Sequence, residues 1–261
     1  MKMQIYQVDA FASKAFTGNP AAVVPLKQWI SESLMQQIAA ENNLAETAFI
    51  VQEKDHYAIR WFTPETEVPL CGHATLASAY VIFTELNYPR ADIHFMSKSG
   101  PLTTSRNKDW LTLNFPAMPV RSAEKETRFQ DAFGVAPTEV QKSDGGYVLL
   151  VFEDEDIIHS LSPNYSQIIE WEEKAIIVSA PSVKYDFVSR LFAPKVGINE
   201  DPVTGSAHTR LIPYWSKKLN KKQLLAKQVS NRGGILKCVD LGDRVEMSGQ
   251  AVLYLKGEIE V

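Results

Sequence analysis

The chain has 261 residues, 45% of them hydrophobic and 22% charged, and its 27 Lys and Arg against 31 Asp and Glu give a formal net charge of -4. That length can bury a sizeable core as one large domain or two small ones, and the mildly acidic balance excludes the global basic field that recruits nucleic acid or an anionic membrane. No apolar run is long enough to span a bilayer, the N-terminus lacks the apolar block of a signal peptide, and Cys71 and Cys238 form no CxxC pair, so reduced thiols and a cytoplasmic setting are expected.

In chain order, alternating or β-rich runs predict strands over 3–11, 21–25, 47–52, 57–62, 92–96 and 111–115, then over 147–152, 175–179, 185–192, 235–241, 244–247 and 251–261. Helical spacing is convincing over Ser31 to Glu41, after Gly72, over Thr127 to Phe133 and after Gly205. Gly242-Asp243 marks a hairpin turn. Strands outnumber helices and do not alternate with them as parallel βαβ units require, so the expected class is α+β with many antiparallel strands. The basic residues Lys217, Lys218, Lys221 and Lys222 read as a solvated helix face and turn.

An internal repeat organises the chain. F-T-P-E-T-E-V-P-L-C-G-H-A-T, from Phe62, resembles F-A-P-K-V-G-I-N-E-D-P-V-T-G-S-A, from Phe192. Each leaves a strand at Phe-x-Pro, crosses a loop with a second proline and enters an apolar helix at Gly72 or Gly205. Such a helix is usually central to its domain. Two duplicated halves follow, with a boundary near the proline-marked Ala117 to Val120. The expected division is 1–117, completed by the C-terminal strand 250–261, and 118–249, with the active site in a cleft between the halves.

A helix start leaves its first N–H groups without intrahelical acceptors and carries partial positive charge, so it suits an anion. Gly72 and Gly205 would let a carboxylate approach the backbone, or would equally serve as tight turns. Cys71 and His73 flank the first glycine. Asp201, Thr204, Ser206 and His208 surround the second, where Asp201-Pro202 is also an ordinary turn or cap and His208 also reads as a core or surface histidine. Glu46 stands where a helix gives way to an apolar strand. There it is either a partly buried carboxyl able to accept and return a proton or a solvated loop-edge residue. No Walker A loop, no GxGxxG after the first strand and no HExxH helix occurs. G-S-A-H lacks the nucleophile elbow, and Ser206 and His208 on one helix point to different sides, which disfavours hydrolysis.

Together F-T-G-N-P-A-A-V-V (Phe16 to Val24), L-A-E-T-A-F (Leu44 to Phe49), L-C-G-H-A-T (Leu70 to Thr75) and G-I-N-E-D-P-V-T-G-S-A-H (Gly197 to His208) resemble the PhzF-like family, related in fold to diaminopimelate epimerase. The motifs keep the family's order and spacing and cover essentially the whole chain. The resemblance implies two pseudo-symmetric domains, each a barrel-like sheet around a central helix, and a homodimer. It also implies a cofactor-free, metal-free isomerase that shifts a proton within a small carboxylic acid. Glu46 matches the proton-carrying glutamate, His73 the histidine of the glycine-histidine motif, and Asp201 the aspartate opening D-P-x-T-G. Ser206 matches a substrate-binding serine, and backbone N–H groups around Gly72, Gly205 and Ser206 would hold the carboxylate. The related epimerases oppose two cysteines. Here Cys71 takes the first position but Thr204 aligns with the second, which leaves Cys71 and Thr204 as pocket-lining groups. Two alternatives remain: a small-anion binding protein of the same fold, and an epimerase dependent on Cys71.

Overall fold

The computed structural model describes every residue from Met1 to Val261 and divides the chain into two units, Met1–Phe115 with Met247–Val261, and Pro116–Glu246. No helix is long and apolar enough to cross a membrane.

The first unit runs β1 (Lys2–Ala10), β2 (Asn19–Leu26), α1 (Glu32–Asn42), β3 (Glu46–Gln52), β4 (Tyr57–Phe62) and β5 (Glu67–Val68). It continues with α2 (Gly72–Thr84), β6 (Asp92–Ser97), β7 (Gly100–Asn107) and β8 (Trp110–Pro116). The second unit holds β9 (Arg121–Ser122), α3 (Thr127–Phe133), β10 (Glu139–Ser143), β11 (Tyr147–Val151), α4 (Glu155–Ser160), α5 (Tyr165–Ile168) and β12 (Ala175–Pro181). Next come β13 (Phe187–Ala193), a 3-10 turn at Pro194–Val196, β14 (Ile198–Asp201), α6 (Gly205–Leu219), β15 (Gln223–Gln228) and β16 (Gly234–Asp240), followed by β17 (Arg244–Gly249), within which the chain passes back to the first unit. The chain then ends in β18 (Ala251–Glu260), which pairs antiparallel with β1.

The two units repeat one pairing scheme. In the first, β1 is antiparallel to β2, β2 parallel to β3, β3 antiparallel to β4, β4 parallel to β6, and β6 antiparallel to β7. In the second, β10, β11, β12, β13, β15 and β16 pair in the same alternation of directions. The sheets are therefore mixed, with four parallel pairs where the sequence pattern suggested chiefly antiparallel ones. The reason is physical: a parallel pair needs a long crossover, and each such pair here encloses helix, α1 or α2 in one unit and α4 with α5, or α6, in the other. The α+β class holds, since the antiparallel pairs still outnumber the parallel ones.

Burial on both faces explains the composition of the central strands. Ala22 and Val24 of β2 pack with Met35, Ile38 and Ala39 of α1 and with Phe49 and Phe62, while α2 lies against β1, β2 and β3. A strand covered on both sides reads as a continuous apolar run rather than an alternating one, and β2, β3 and β12 do so. All but three of the thirteen residues of α2 are buried, which makes it the central helix of its unit. In the second unit α3 and α5 cover a core of Phe129, Phe133, Val148, Leu150, Val178 and Phe192. Pro213 lies inside α6 and cannot donate to the Thr209 carbonyl one turn back. That carbonyl instead accepts from the Met118 N–H at 3.0 Å, so the helix continues.

Candidate functional site

Both repeats end in the same device. After β4 the chain folds back through β5, pairing Trp61 with Val68 and Phe62 with Glu67, and then enters α2. After β13 it folds back through β14, pairing Leu191 with Asp201, and then enters α6. The N-cap residues Cys71 (φ -141°, ψ 118°) and Thr204 (φ -115°, ψ 106°) have similar extended backbones, and neither side chain caps its helix. The opening N–H groups are thus not consumed by a side-chain cap, the condition under which a helix start receives an anion.

At the start of α2 the structure brings Glu46, Cys71 and His73 together. Glu46 is the first residue of β3 and sits in register with Ala21 of β2. Its Oε2 lies 3.0 Å from Nε2 of His73, with 13% of the Glu46 side chain and 6% of the His73 side chain exposed. The other ring nitrogen, Nδ1, is 3.2 Å from Nδ2 of Asn19 and 3.6 Å from Sγ of Cys71. Because an amide can present either its nitrogen or its oxygen, Asn19 is able to partner the neutral or the protonated ring. Burial works against the imidazolium, but the neighbouring Cys71 and Glu46 outweigh it, and the His73 pKa is raised well above 6.5. Burial raises the Cys71 thiol pKa and the Glu46 carboxylate adds to the effect, while His73 opposes it.

Asn19 reaches this group through a strained loop. Phe11, Phe16 and Gly18 all have positive φ, and the Phe16 N–H donates to Oδ2 of Asp9 at 2.8 Å. A Cβ at Gly18 (φ +69°) would stand 2.2 Å from the Ala10 carbonyl oxygen, so the glycine of F-T-G-N-P is required by geometry.

Asp201, Thr204, Gly205 and Ser206 gather at the start of α6. The Thr204 hydroxyl donates to Oδ2 of Asp201. Gln228 of β15, fully buried, stitches the loop: its amide N–H donates to the Asp201 carbonyl at 2.8 Å and its oxygen accepts from the Thr204 N–H at 2.9 Å. The Ser206 hydroxyl is 3.1 Å from the Tyr147 hydroxyl, and Arg210, over the Tyr147 ring at 3.7 Å, donates to the Ser206 carbonyl at 2.8 Å. His208 is not part of this polar group. Its Nδ1–H donates to the Thr204 carbonyl at 2.8 Å, its ring packs on Phe187, and burial lowers its pKa to about 4. It is a neutral core histidine.

Sequence reasoning assigned no role to Asn19, Gln228, Tyr147 or Arg210. Asn19 lies inside a quoted motif and could have been found there. Gln228 could not, because a polar residue in a polar strand, 24 positions from the backbone it holds, leaves no local pattern.

The phenazine biosynthesis-like protein family model, PhzC-PhzF, matches residues 8–257. The chain belongs to this family. It is 44% identical to an uncharacterized isomerase of Pseudomonas aeruginosa over 261 residues, with the whole of both chains covered. It superposes on the crystal structure of a PhzF-family phenazine biosynthesis protein from Enterococcus faecalis with a TM-score of 0.97 at 45% identity, covering all of both chains. A hydroxyproline epimerase from Agrobacterium vitis shares the fold alone, at TM-score 0.64 and 8% identity over 99% of this chain and 92% of that one. These kinships place the chain as an isomerase with the diaminopimelate-epimerase-like α+β fold.

Proposed function

We propose that the protein is a cofactor-independent isomerase that moves a proton within a small carboxylic acid, with Glu46 as both base and acid. The observation that carries this reading is the enclosed Glu46 carboxylate, 3.0 Å from Nε2 of His73 at an uncapped helix start. Glu46 would take a proton from the carbon made acidic by the substrate, leaving an enolate-like anion, and return it at another carbon. The first N–H groups of α2 would stabilise the negative charge as it develops. His73 would fix the carboxylate's orientation and assist proton delivery, supported through Nδ1 by Asn19. Cys71 would line the site beside Gly72. Asp201 would orient substrate, with Thr204, Gly205 and Ser206 as further substrate contacts, in a cytoplasmic homodimer.

The raised Cys71 pKa supports a lining rather than a basic role for the thiol, since a base at that position must be a thiolate. The test is NMR in deuterium oxide with a panel of small cyclic and amino carboxylic acids, run with the native protein and Glu46→Gln. Deuterium uptake at a carbon, lost in the folded variant, is expected. Uptake undiminished in Glu46→Gln refutes the assignment, and binding without uptake turns the reading toward an anion-binding protein. Alkylation of Cys71 that leaves uptake intact excludes the cysteine-dependent epimerase.

A further inference from the structure

We propose that Glu46, Cys71 and His73 also form a three-ligand site for a thiophilic divalent cation, Zn²⁺ foremost, and that its occupation withdraws Glu46 from proton transfer. One donor atom from each residue, a carboxylate oxygen, a thiol sulfur and an imidazole nitrogen, lies within 4.8 Å of the other two. A tetrahedral zinc ion with bonds of about 2.0–2.3 Å sets its ligand atoms about 3.3–3.6 Å apart, so closure asks for side-chain shifts of about 1 Å. The Glu46 Oε2 to His73 Nε2 distance of 3.0 Å is already close to that edge length, and Sγ, now 3.6 Å from Nδ1, must make the larger shift.

The chemistry of the set is selective. Hard cations such as Mg²⁺ prefer all-oxygen shells, whereas mixed sulfur, nitrogen and oxygen donors suit zinc and cobalt. Three protein ligands leave a fourth position open, as in zinc sites that hold a water or a substrate. Binding is balanced by release of the Cys71 thiol proton and of the proton on the coordinating His73 nitrogen as the sulfur–metal and nitrogen–metal bonds form. If the ion takes Nε2, Asn19 keeps its place on Nδ1 as an outer partner that orients the ring. Glu46 opens β3, Cys71 is the N-cap of α2 and His73 lies in its first turn; Cys71 and His73 are buried and Glu46 is half-buried.

Metal binding stands on this donor set alone, whereas the silencing of activity rests on the role proposed above for Glu46. The experiment separates them. The protein is titrated with Co²⁺, whose thiolate charge-transfer absorption reports a cobalt–sulfur bond, and with Zn²⁺ against a chromogenic chelator. One ion per chain is expected, with the charge-transfer band present. Cys71→Ser should abolish the band and weaken zinc binding by more than the roughly 10–100-fold that loss of an outer partner costs. Glu46→Gln should weaken binding but keep the band. Cys238→Ser should change neither, because Cys238, on β16, is not among the three donors. His56→Ala disrupts the surface group of His56, Glu53 and Asp55, a second histidine with acidic neighbours, and should leave the stoichiometry unchanged. Absence of the band, or zinc retained in Cys71→Ser and lost in His56→Ala, overturns the site. Binding at Cys71 with proton exchange unaffected by zinc overturns the silencing while leaving the metal site in place.

Discussion

His208 makes the second unit acid-sensitive in a defined window. The ring is fully buried in α6, its Nδ1–H is spent on the Thr204 carbonyl, and Nε2 has no hydrogen-bond partner. Protonation would therefore place a charge and an unsatisfied N–H beside Phe187, whose ring stacks on Trp215 at 5.7 Å. The folded-state pKa of about 4 lies below the ordinary 6.5. Above pH 6.5 neither folded nor unfolded chain carries the proton, and the full stability is present. As pH falls through 6.5 the unfolded chain takes up a proton that the folded one refuses, and stability declines until pH drops below about 4, where both are protonated. At 1.36 kcal/mol per pH unit the whole loss is about 3 kcal/mol, of which about 2 kcal/mol has gone by pH 5. Urea unfolding followed by tryptophan fluorescence, at pH 7 and pH 5, should show this loss in the native protein and not in His208→Asn, which keeps a donor for Thr204 and does not titrate. An equal loss in both proteins, or His208 ring resonances that titrate near 6.5, would refute the reasoning.

Two further perturbations test other parts of the fold. Gly18→Ala forces a Cβ to within 2.2 Å of the Ala10 carbonyl oxygen at φ +69°. The left-handed backbone alone costs about 1–2 kcal/mol, so a lowered thermal midpoint is expected, and an unchanged one would show that the 11–18 loop relaxes freely. Arg128→Met leaves Glu173, 7% exposed and held at about 2 chiefly by its hydrogen bond to Arg128, with Lys142 as its remaining ion-pair partner. A loss of about 2–3 kcal/mol is expected at pH 7 from a broken, largely buried pair. The loss should shrink as pH falls from 4.5 toward about 2, because the unfolded chain protonates Glu173 there while the native pair still holds it ionised, so the pair's contribution fades; a penalty constant with pH would show that packing, not charge, is at stake.

The sequence carried most of the helices and the central strands because their causes are local. Ser31 ahead of Glu32 predicts a helix start, and its hydroxyl accepts from the Leu34 N–H at 3.3 Å. The apolar runs of β3 and β12 announce themselves by composition. What escaped was set by tertiary pairing. Gln223 to Gln228, Q-L-L-A-K-Q, is built from good helix formers yet forms β15, because it pairs parallel with β13 and antiparallel with β16. Polar β7 and β10 were missed for the same reason. At the site, the proximity of Glu46 and His73 follows from motifs 27 residues apart whose meeting depends on the β2–β3 register and on the placement of α2, neither of which a local pattern encodes.

The repeat also shows how one backbone device has been given two chemistries. Each helix start follows a strand that doubles back on itself, and each N-cap residue is extended and makes no side-chain cap. At α2 the residues around the glycine are a thiol and an imidazole, with the His73 pKa raised beside Glu46. At α6 the equivalent positions carry two hydroxyls, one of them bound to Asp201, and the nearest imidazole, His208, is held neutral in the core. A threonine hydroxyl does not release its proton at neutral pH, so Thr204 offers no counterpart to Cys71, and Cys238 lies on β16 rather than at a helix start. Two opposed cysteines, the arrangement that removes a proton on one face and delivers it on the other, therefore have no basis in this chain. Under the role proposed for Glu46, one carboxylate both takes and returns the proton, so the chemistry needs no counterpart to it at the start of α6.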